Sequence, residues 1–346
     1  MPMKYHSSLI SGLAAISIAT LLVACGGGGG GSDSSSGGTA PLSVSITDAP
    51  VDGASEVVIT FTGVTVQADD GTRTTYPVRD PLTDEPGRAI DLLALGGGEQ
   101  IILLDDVPLE YGRYSWMRLE VDLSYPDKAY IAFEDNPDAL FELRCSSCAQ
   151  SDLKLNRSFT VGEVCETNGS DEPCGTGEAG VAFTIDFDLR KSITDPQSGD
   201  YYKLRPTLRI VETELAGNFT GMVDSSLIPD YETVEEGEST GCSVYTFAGS
   251  DVVPDDIFLE DAGHTNPVTT ADVKRNGTDF TYTAAFLVAG EYTAALTCDA
   301  ANDNPEEDED DGSDGDPNND VVFLDQQNVT VELGATTYDV NFPTVP

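Results

Sequence analysis

The sequence predicts an all-β protein: two antiparallel β-sandwich domains, immunoglobulin-like or prealbumin-like, behind a signal peptide and a flexible tether. Three observations predict it. From Leu42 onward, apolar and polar residues alternate in short runs, the two-residue period of a half-buried strand. Clusters of Gly, Pro, Asp and Asn separate those runs and suit tight turns. Stretches with the 3.6-residue period of an amphipathic helix are scarce.

Residues 1–24 read as an export signal, with Lys4 in a short polar start and an apolar core over 9–23. About 15 apolar residues fall short of the roughly 20 that span a bilayer. The core ends in Leu21-Leu22-Val23-Ala24-Cys25, the pattern of a bacterial lipoprotein: a diacylglycerol joins the Cys25 thiol, cleavage follows Ala24, and the new amine is acylated. Residues 25–41 start at that cysteine and continue with a run of glycines and a Ser/Gly stretch, a tether with a reach of roughly 20 Å. Gly26 stands where an aspartate would favour inner-membrane retention, so the expected address is the outer membrane, on its periplasmic or cell-surface face. What remains is long enough for two domains, expected at 42–215 and 216–346.

In the first domain, residues 42–47 form the opening strand. The segment Asp48-Ala49-Pro50-Val51-Asp52-Gly53 reads as a turn in which Asp48 accepts backbone hydrogen bonds, with Asp48 and Asp52 as cation ligands the alternative. Residues 56–67 follow with Val57, Ile59 and Phe61 on one face and Gly63 as a bulge. Asp70-Gly71 marks a hairpin before 72–78. Residues 89–95 and 100–104 are apolar enough for central strands, or for a short helix and a strand. The run 113–123 places Met117, Leu119, Val121 and Leu123 toward the core and Tyr114, Trp116, Arg118, Glu120 and Asp122 on the other face. Strands at 130–133, 140–144, 153–161, 181–189 and 201–214 complete the set, with a cysteine-rich loop between 145 and 180.

The second domain is expected to use strands at 218–223, 242–248, 279–287, 290–298, 328–333 and 337–342, and to carry an acidic loop at 304–320.

With 61 Asp+Glu against 17 Lys+Arg, the net charge of −44 repels nucleic-acid phosphates and anionic headgroups, which excludes both as partners. A hydrated surface suited to salty water accounts for most of this charge, since salt screens it over ~8 Å. Cations are the natural counterpart. Asp308, Asp310, Asp314 and Asp316, with Gly312 and Gly315, resemble an oxygen-rich calcium loop. Taking Gly315 as the sixth position of an EF-hand places three of these acids correctly, but Gly312 and Val321 fall where ligands belong. The loop therefore reads first as a solvated, self-repelling run, with Ca2+ as the alternative. No other cofactor is expected.

Six cysteines remain beyond Cys25, an even number that suits disulfides in an exported chain. Pairing within domains joins Cys242 to Cys298. Connectivity among Cys145, Cys148, Cys165 and Cys174 is open, and four thiolates within 30 residues admit a zinc site as a rival. Catalytic signals are lacking. His264, in a Gly-His-Thr-Asn-Pro turn, is the one histidine outside the signal and reads as solvated, with no nucleophile elbow beside it. No phosphate loop, dinucleotide fingerprint or paired-histidine motif occurs. Carboxylate pairs such as Asp105-Asp106, or Asp186 and Asp188, arise by chance among so many acids.

Ser45-Ile46-Thr47-Asp48-Ala49-Pro50-Val51-Asp52, the strand around Gly63-Val64, the strand from Tyr114 to Val121 and Leu204-Arg205-Pro206-Thr207-Leu208 together resemble the bacterial lipoprotein family called domain of unknown function 4382, over about 42–215. The resemblance implies an exported β-rich domain, often with a prealbumin-like companion, and no known reaction. Phe280-x-Tyr282 and Gly290-Glu291-Tyr292-Thr293 in turn resemble the prealbumin-like, carboxypeptidase-regulatory-like modules of exported proteins. The expected function is a non-enzymatic envelope lipoprotein, a binding or structural module held to the membrane by its lipid, with an envelope protein or polysaccharide as partner. The alternative is a calcium-dependent surface polysaccharide binder or adhesin, and behind it a secreted-type hydrolase.

Overall fold

The structure is a computed structural model that describes residues 38–343 except 149–151, 163, 168–169, 174–179, 197–198 and 309–319; of 164–167 and 170–173 it describes the backbone. Its strands begin with β1 (Thr39–Ala49), β2 (Ala54–Ala68), β3 (Arg73–Pro77), β4 (Arg88–Asp91), β5 (Ile101–Glu110), β6 (Gly112–Asp122), β7 (Ala129–Phe133) and β8 (Asn136–Arg144). Then come β9 (Leu153–Leu155), β10 (Phe159–Val161), β11 (Val164–Thr167), β12 (Ser170–Pro173) and β13 (Val181–Asp188). A short helix, α1 (Leu189–Ser192), leads to β14 (Ile193–Thr194), β15 (Tyr201–Leu204) and β16 (Leu208–Glu212). After a 3-10 turn at Thr213–Leu215, the C-terminal half holds β17 (Ala216–Met222), β18 (Ser239–Ala248), β19 (Thr269–Asn276), β20 (Asp279–Val288), β21 (Gly290–Thr297), β22 (Phe323–Val331) and β23 (Thr336–Thr337).

In the N-terminal half a four-stranded sheet, β16-β13-β1-β5, faces a ten-stranded sheet whose main path is β10-β6-β2-β7-β8-β15-β14. The two close on one core. Leu42, Val44 and Ile46 of β1 and Phe183, Ile185 and Phe187 of β13 meet Val57, Ile59 and Phe61 of β2 and Met117 and Leu119 of β6, all buried. The two-residue period of these strands produces that sandwich, because alternate side chains share a face. The C-terminal half is one seven-stranded sheet, β22-β21-β18-β19-β20-β17-β23. It curls until its edges meet, where Thr337 on β23 donates to the Thr330 carbonyl on β22 at 2.7 Å. Phe219, Val244, Tyr282, Leu296 and Phe342 fill its interior, and Tyr245 and Phe247 pack outward under Ile257 and Ala300. A Cβ at Gly221 would sit 1.8 Å from the Val340 carbonyl oxygen, so this close approach of backbones requires glycine. The two hydrophobic clusters belong to one compact unit spanning 37–346.

Several elements differ from the sequence reading. The β1/β13, β8/β15 and β17/β23 pairs run parallel, so the sandwich is mixed. Tyr114 joins the core instead of the outer face. A register shift opposite Gln67 and Ala68 separates Tyr114 from Trp116, and this bulge turns Tyr114 inward to stack on Phe159 with ring centroids 5.1 Å apart. Residues 201–214 break into β15 and β16 at Pro206, which has no N–H to give a ladder. Strand β19 carries Asp272, Lys274 and Arg275, a polar run that hides its period. Gly63 does lie at a register shift in the β2/β6 pairing.

Candidate functional site

The end of β1 brings the Thr47-Asp48-Ala49-Pro50 segment to a buried, charged seam between the two halves. Parallel pairing sets Thr47 beside Asp186 and Ala49 beside Asp188. Asp188 then caps α1, its Oδ1 accepting the Lys191 N–H at 3.1 Å, which fixes a single turn whose residues are all buried. That turn carries two cations into the C-terminal half. The Arg190 guanidinium, 2% exposed, is paired with Asp52, and donates to the Ala300 carbonyl at 2.9 Å, Ser243 Oγ at 3.1 Å and Thr270 Oγ1 at 3.3 Å. Asp272 lies 3.6 Å from it. Lys191 Nζ lies 2.7 Å from Asp188 Oδ2 and donates to the Pro267 carbonyl at 2.7 Å and the Val268 carbonyl at 3.2 Å. Burial alone would lower the Arg190 pKa, but Asp52, Tyr245 and Asp272 hold it well above the ordinary arginine value.

A third cation completes the seam. Arg209 on β16 donates to Asp186 Oδ2 at 2.6 Å and to the carbonyl of Phe286. Phe286 has a positive φ of 54°, a conformation disfavoured for a bulky side chain, and the Asn218 side chain holds it by accepting its N–H at 2.9 Å. Asp48, expected as an acceptor of hydrogen bonds in its own turn, is 7% exposed, and the backbone N–H that favours its carboxylate is that of Leu189 at the start of α1. The reason is topological: β1 runs on through Ala49, so the residue sits inside a ladder rather than at a turn. Burial, then the charges of Asp186 and Asp188, push its carboxyl well above the ordinary range, while the Leu189 N–H works the other way. Desolvation also raises Asp186 against the opposing effect of Arg209.

Beside the seam, Tyr245 donates its hydroxyl to Asp303 Oδ2 at 2.5 Å, and the Ile257 N–H reaches Asp303 Oδ1 at 3.0 Å. Burial pushes Asp303 up to about 6. The unfolded chain holds this proton with a pKa near 3.9, so the group's contribution to stability is full below about pH 4 and is lost as pH rises through about 6, by roughly 3 kcal/mol. We expect urea midpoints of an Asp303→Asn variant to fall less between pH 4 and 7 than those of the parent protein. Parallel profiles would show that Asp303 ionises normally.

The other residues singled out by the sequence lie apart. His264 is not a solvated turn residue: its side chain is 8% exposed, with Nε2 3.1 Å from Asp256 and 3.6 Å from Asp255. The three offer ligand atoms within 4.8 Å of one another, a donor set that could hold a divalent metal, and Asp308 adds its charge to the hydrogen bond and carboxylates that raise the His264 pKa against burial. Cys145 and Cys148 form a disulfide, which removes two of the four thiolates that a zinc site would need, and they line an open pocket of about 470 Å3 with Arg144 and Asp152. Cys242 and Cys298 are also joined. Cys25, Cys174, Asp310, Asp314 and Asp316 lie outside the described residues, as does the Cys165 side chain. Tyr202 packs against Phe133 and Phe141, and the three line an open pocket of about 730 Å3 with Glu134 and Asp135, whereas Trp116 lies under Arg73, Arg118 and Lys154 and Tyr201 under Arg144. Sequence reasoning missed Arg190 and Lys191. The available signal was two adjacent cations directly after an apolar strand in a chain with few of them.

The family described as domain of unknown function (DUF4382) matches residues 39–206. No curated protein matches the chain. Among solved structures, a candidate adhesin from Bacteroides ovatus is similar at 9% identity, covering 93% of this chain and 100% of its own, with a TM-score of 0.19. The minor pilin GBS52 of Streptococcus agalactiae is similar at 9% identity, covering 88% of this chain and 99% of its own, with a TM-score of 0.18.

Proposed function

Residues 39–206 belong to the DUF4382 family, and from that premise we propose that this chain is a non-enzymatic module of the cell envelope. It is tethered to the outer membrane through Cys25 and holds an envelope protein or polysaccharide. One observation carries the reading: Asp48 and Asp52, in the most distinctive segment of the family likeness, are spent on the seam between the halves and not on an open pocket. A catalytic carboxylate must reach a substrate. Asp52 instead neutralises a buried arginine, and Asp186 and Asp188 do the same for Arg209 and Lys191. Such a seam makes the two halves one stiff body, which suits a part that bears or presents a load at the end of a tether.

The membrane attachment is tested by Cys25→Ser. We expect this variant to leave the membrane fraction for the soluble one, because the lipid is the proposed anchor. Unchanged partitioning after a salt wash would refute it.

The Asp255–Asp256–His264 cluster, on which the charge of Asp308 also acts, favours, as a second reading, a cation-dependent polysaccharide binder. Retention of the full chain on envelope polysaccharide that is abolished by a chelator, without release of new reducing ends, would support it. Release of reducing ends in many-fold molar excess over protein would make the chain a hydrolase.

A further inference from the structure

We propose that the open pocket at Phe133, Phe141 and Tyr202 binds an arginine side chain presented by an exported partner protein. This rests on the reading of the chain as a binding module and names the chemistry of what it holds. Strand pairing builds the site. Antiparallel β7/β8 pairing sets Ile131 beside Phe141, and parallel β8/β15 pairing sets Leu143 beside Tyr202. With a two-residue period, Phe133, Phe141 and Tyr202 therefore share the face that carries the buried Ile131 and Leu143. The three rings are half-buried at the margin of that core, with centroids between 4.8 and 5.8 Å apart. The β7–β8 turn adds the exposed Glu134 and Asp135, and the Glu134 N–H fixes this turn by donating to the Gly53 carbonyl at 3.0 Å. Together they line a space of about 730 Å3.

The charge of the lining selects the occupant. It holds two carboxylates and no cation, and neither Glu134 nor Asp135 forms an ion pair among the described residues. Burial, then the charges of Asp195 and Asp135, raise the Tyr202 pKa, so negative potential reaches across the rings. Phosphates, sulfates and acidic sugars are repelled by such a lining. The opposite face of the same two strands shows what an arginine makes of these groups: Arg144 lies 3.9 Å from the Tyr201 ring centroid and pairs with Glu142 at 2.7 Å. Trp116 likewise lies under cations of its own chain, but among the described residues none lies over Phe133, Phe141 or Tyr202. A neutral sugar stacks best on a flat platform, whereas these rings meet at 42°, 70° and 82°. A cation needs only to come within about 6 Å of a ring centroid, and rings this close let one cation reach more than one of them. Arginine fits better than lysine, because its planar guanidinium stacks on a ring while its fork gives a carboxylate two hydrogen bonds.

The test uses the full chain in neutral detergent and two capped pentapeptides, Gly-Ser-Arg-Ser-Gly and its counterpart with citrulline, which has nearly the shape of arginine without the charge. Saturation-transfer NMR reads the binding of each. The arginine peptide should bind the parent at least tenfold more tightly than the citrulline peptide, and less tightly as salt rises. Asp135→Asn, on an exposed turn, and Tyr202→Leu, which leaves the net charge unchanged, should each weaken binding about tenfold. Tyr202→Phe should retain it, and so should Glu332→Gln, which removes an exposed charge from the other half. Should Tyr202→Leu fail to fold, Asp135→Asn against Glu332→Gln decides. No binding, equal binding of the citrulline peptide, or equal weakening by Asp135→Asn and Glu332→Gln would overturn the proposal. Unchanged binding by a folded Tyr202→Leu would assign the peptide to the acidic surface at large and equally overturn it. Displacement of the peptide by neutral maltohexaose or N-acetylchitohexaose would make the pocket a sugar site, with the same result. Membrane attachment and polysaccharide retention are read by the separate experiments above, so failure here leaves both standing.

Discussion

Arg190→Ala is expected to lower the unfolding free energy by about 3–5 kcal/mol, the cost of breaking a buried ion pair by removing one partner. The side chain is 2% exposed and joins Asp52 in one half to the Ala300 carbonyl, Ser243 and Asp272 in the other. Its loss leaves the largely covered Asp52 without its counter-charge and Asp272 with the charge of Lys274 alone, and both carboxylates must then bind protons or draw water into the seam. Because Arg190 binds the two hydrophobic clusters together, calorimetry should resolve the parent's unfolding into two transitions in the variant. Replacing Asp52 and Asp272 together with Arg190 by apolar residues of similar volume should recover much of the loss, since the penalty comes from the stranded charges. A loss below about 1 kcal/mol for Arg190→Ala would mean that the seam is already hydrated and the halves are independent.

Removing the Cys242–Cys298 disulfide should be as severe, at about 4 kcal/mol. The bond closes a loop with a sequence separation of 56, and the chain-entropy cost of leaving such a loop open in the unfolded state is of that size. Cys145–Cys148, with a separation of 3, should contribute about 2 kcal/mol by the same argument. Both cysteines of the long loop pack in the interior of the curled sheet, Cys242 fully buried on β18 and Cys298 just after β21, so the double serine variant adds a polarity penalty that the double alanine variant does not. Urea unfolding of the Cys242→Ala/Cys298→Ala protein against the parent measures the effect. Equal loss from the two disulfides would argue that loop length is not what matters here.

The sequence by itself determined the all-β class and most of the core. Val57, Ile59 and Phe61 were legible because the two-residue period that puts them on one face needs only neighbouring residues to be seen. Gly63 as a bulge, the Asp70-Gly71 hairpin and the Cys242–Cys298 pair were legible for the same reason: each is a local rule, or a count within one half of the chain. The charged seam was not. Asp48 and Asp52 sit in a segment with every mark of a solvated turn, and Arg190 lies 138 residues from the aspartate that it neutralises. Nothing local distinguishes a buried acid from an exposed one in a chain carrying 61 of them. His264 was misread in the same way, because its burial comes from Asp255, Asp256 and a ring contact with Phe258 that the loop between them must fold back to make. Only the tertiary structure decides which charges leave water, since desolvation depends on what packs over a residue, and a parallel β1/β13 ladder joining residues 47 and 186 is invisible to any window along the chain.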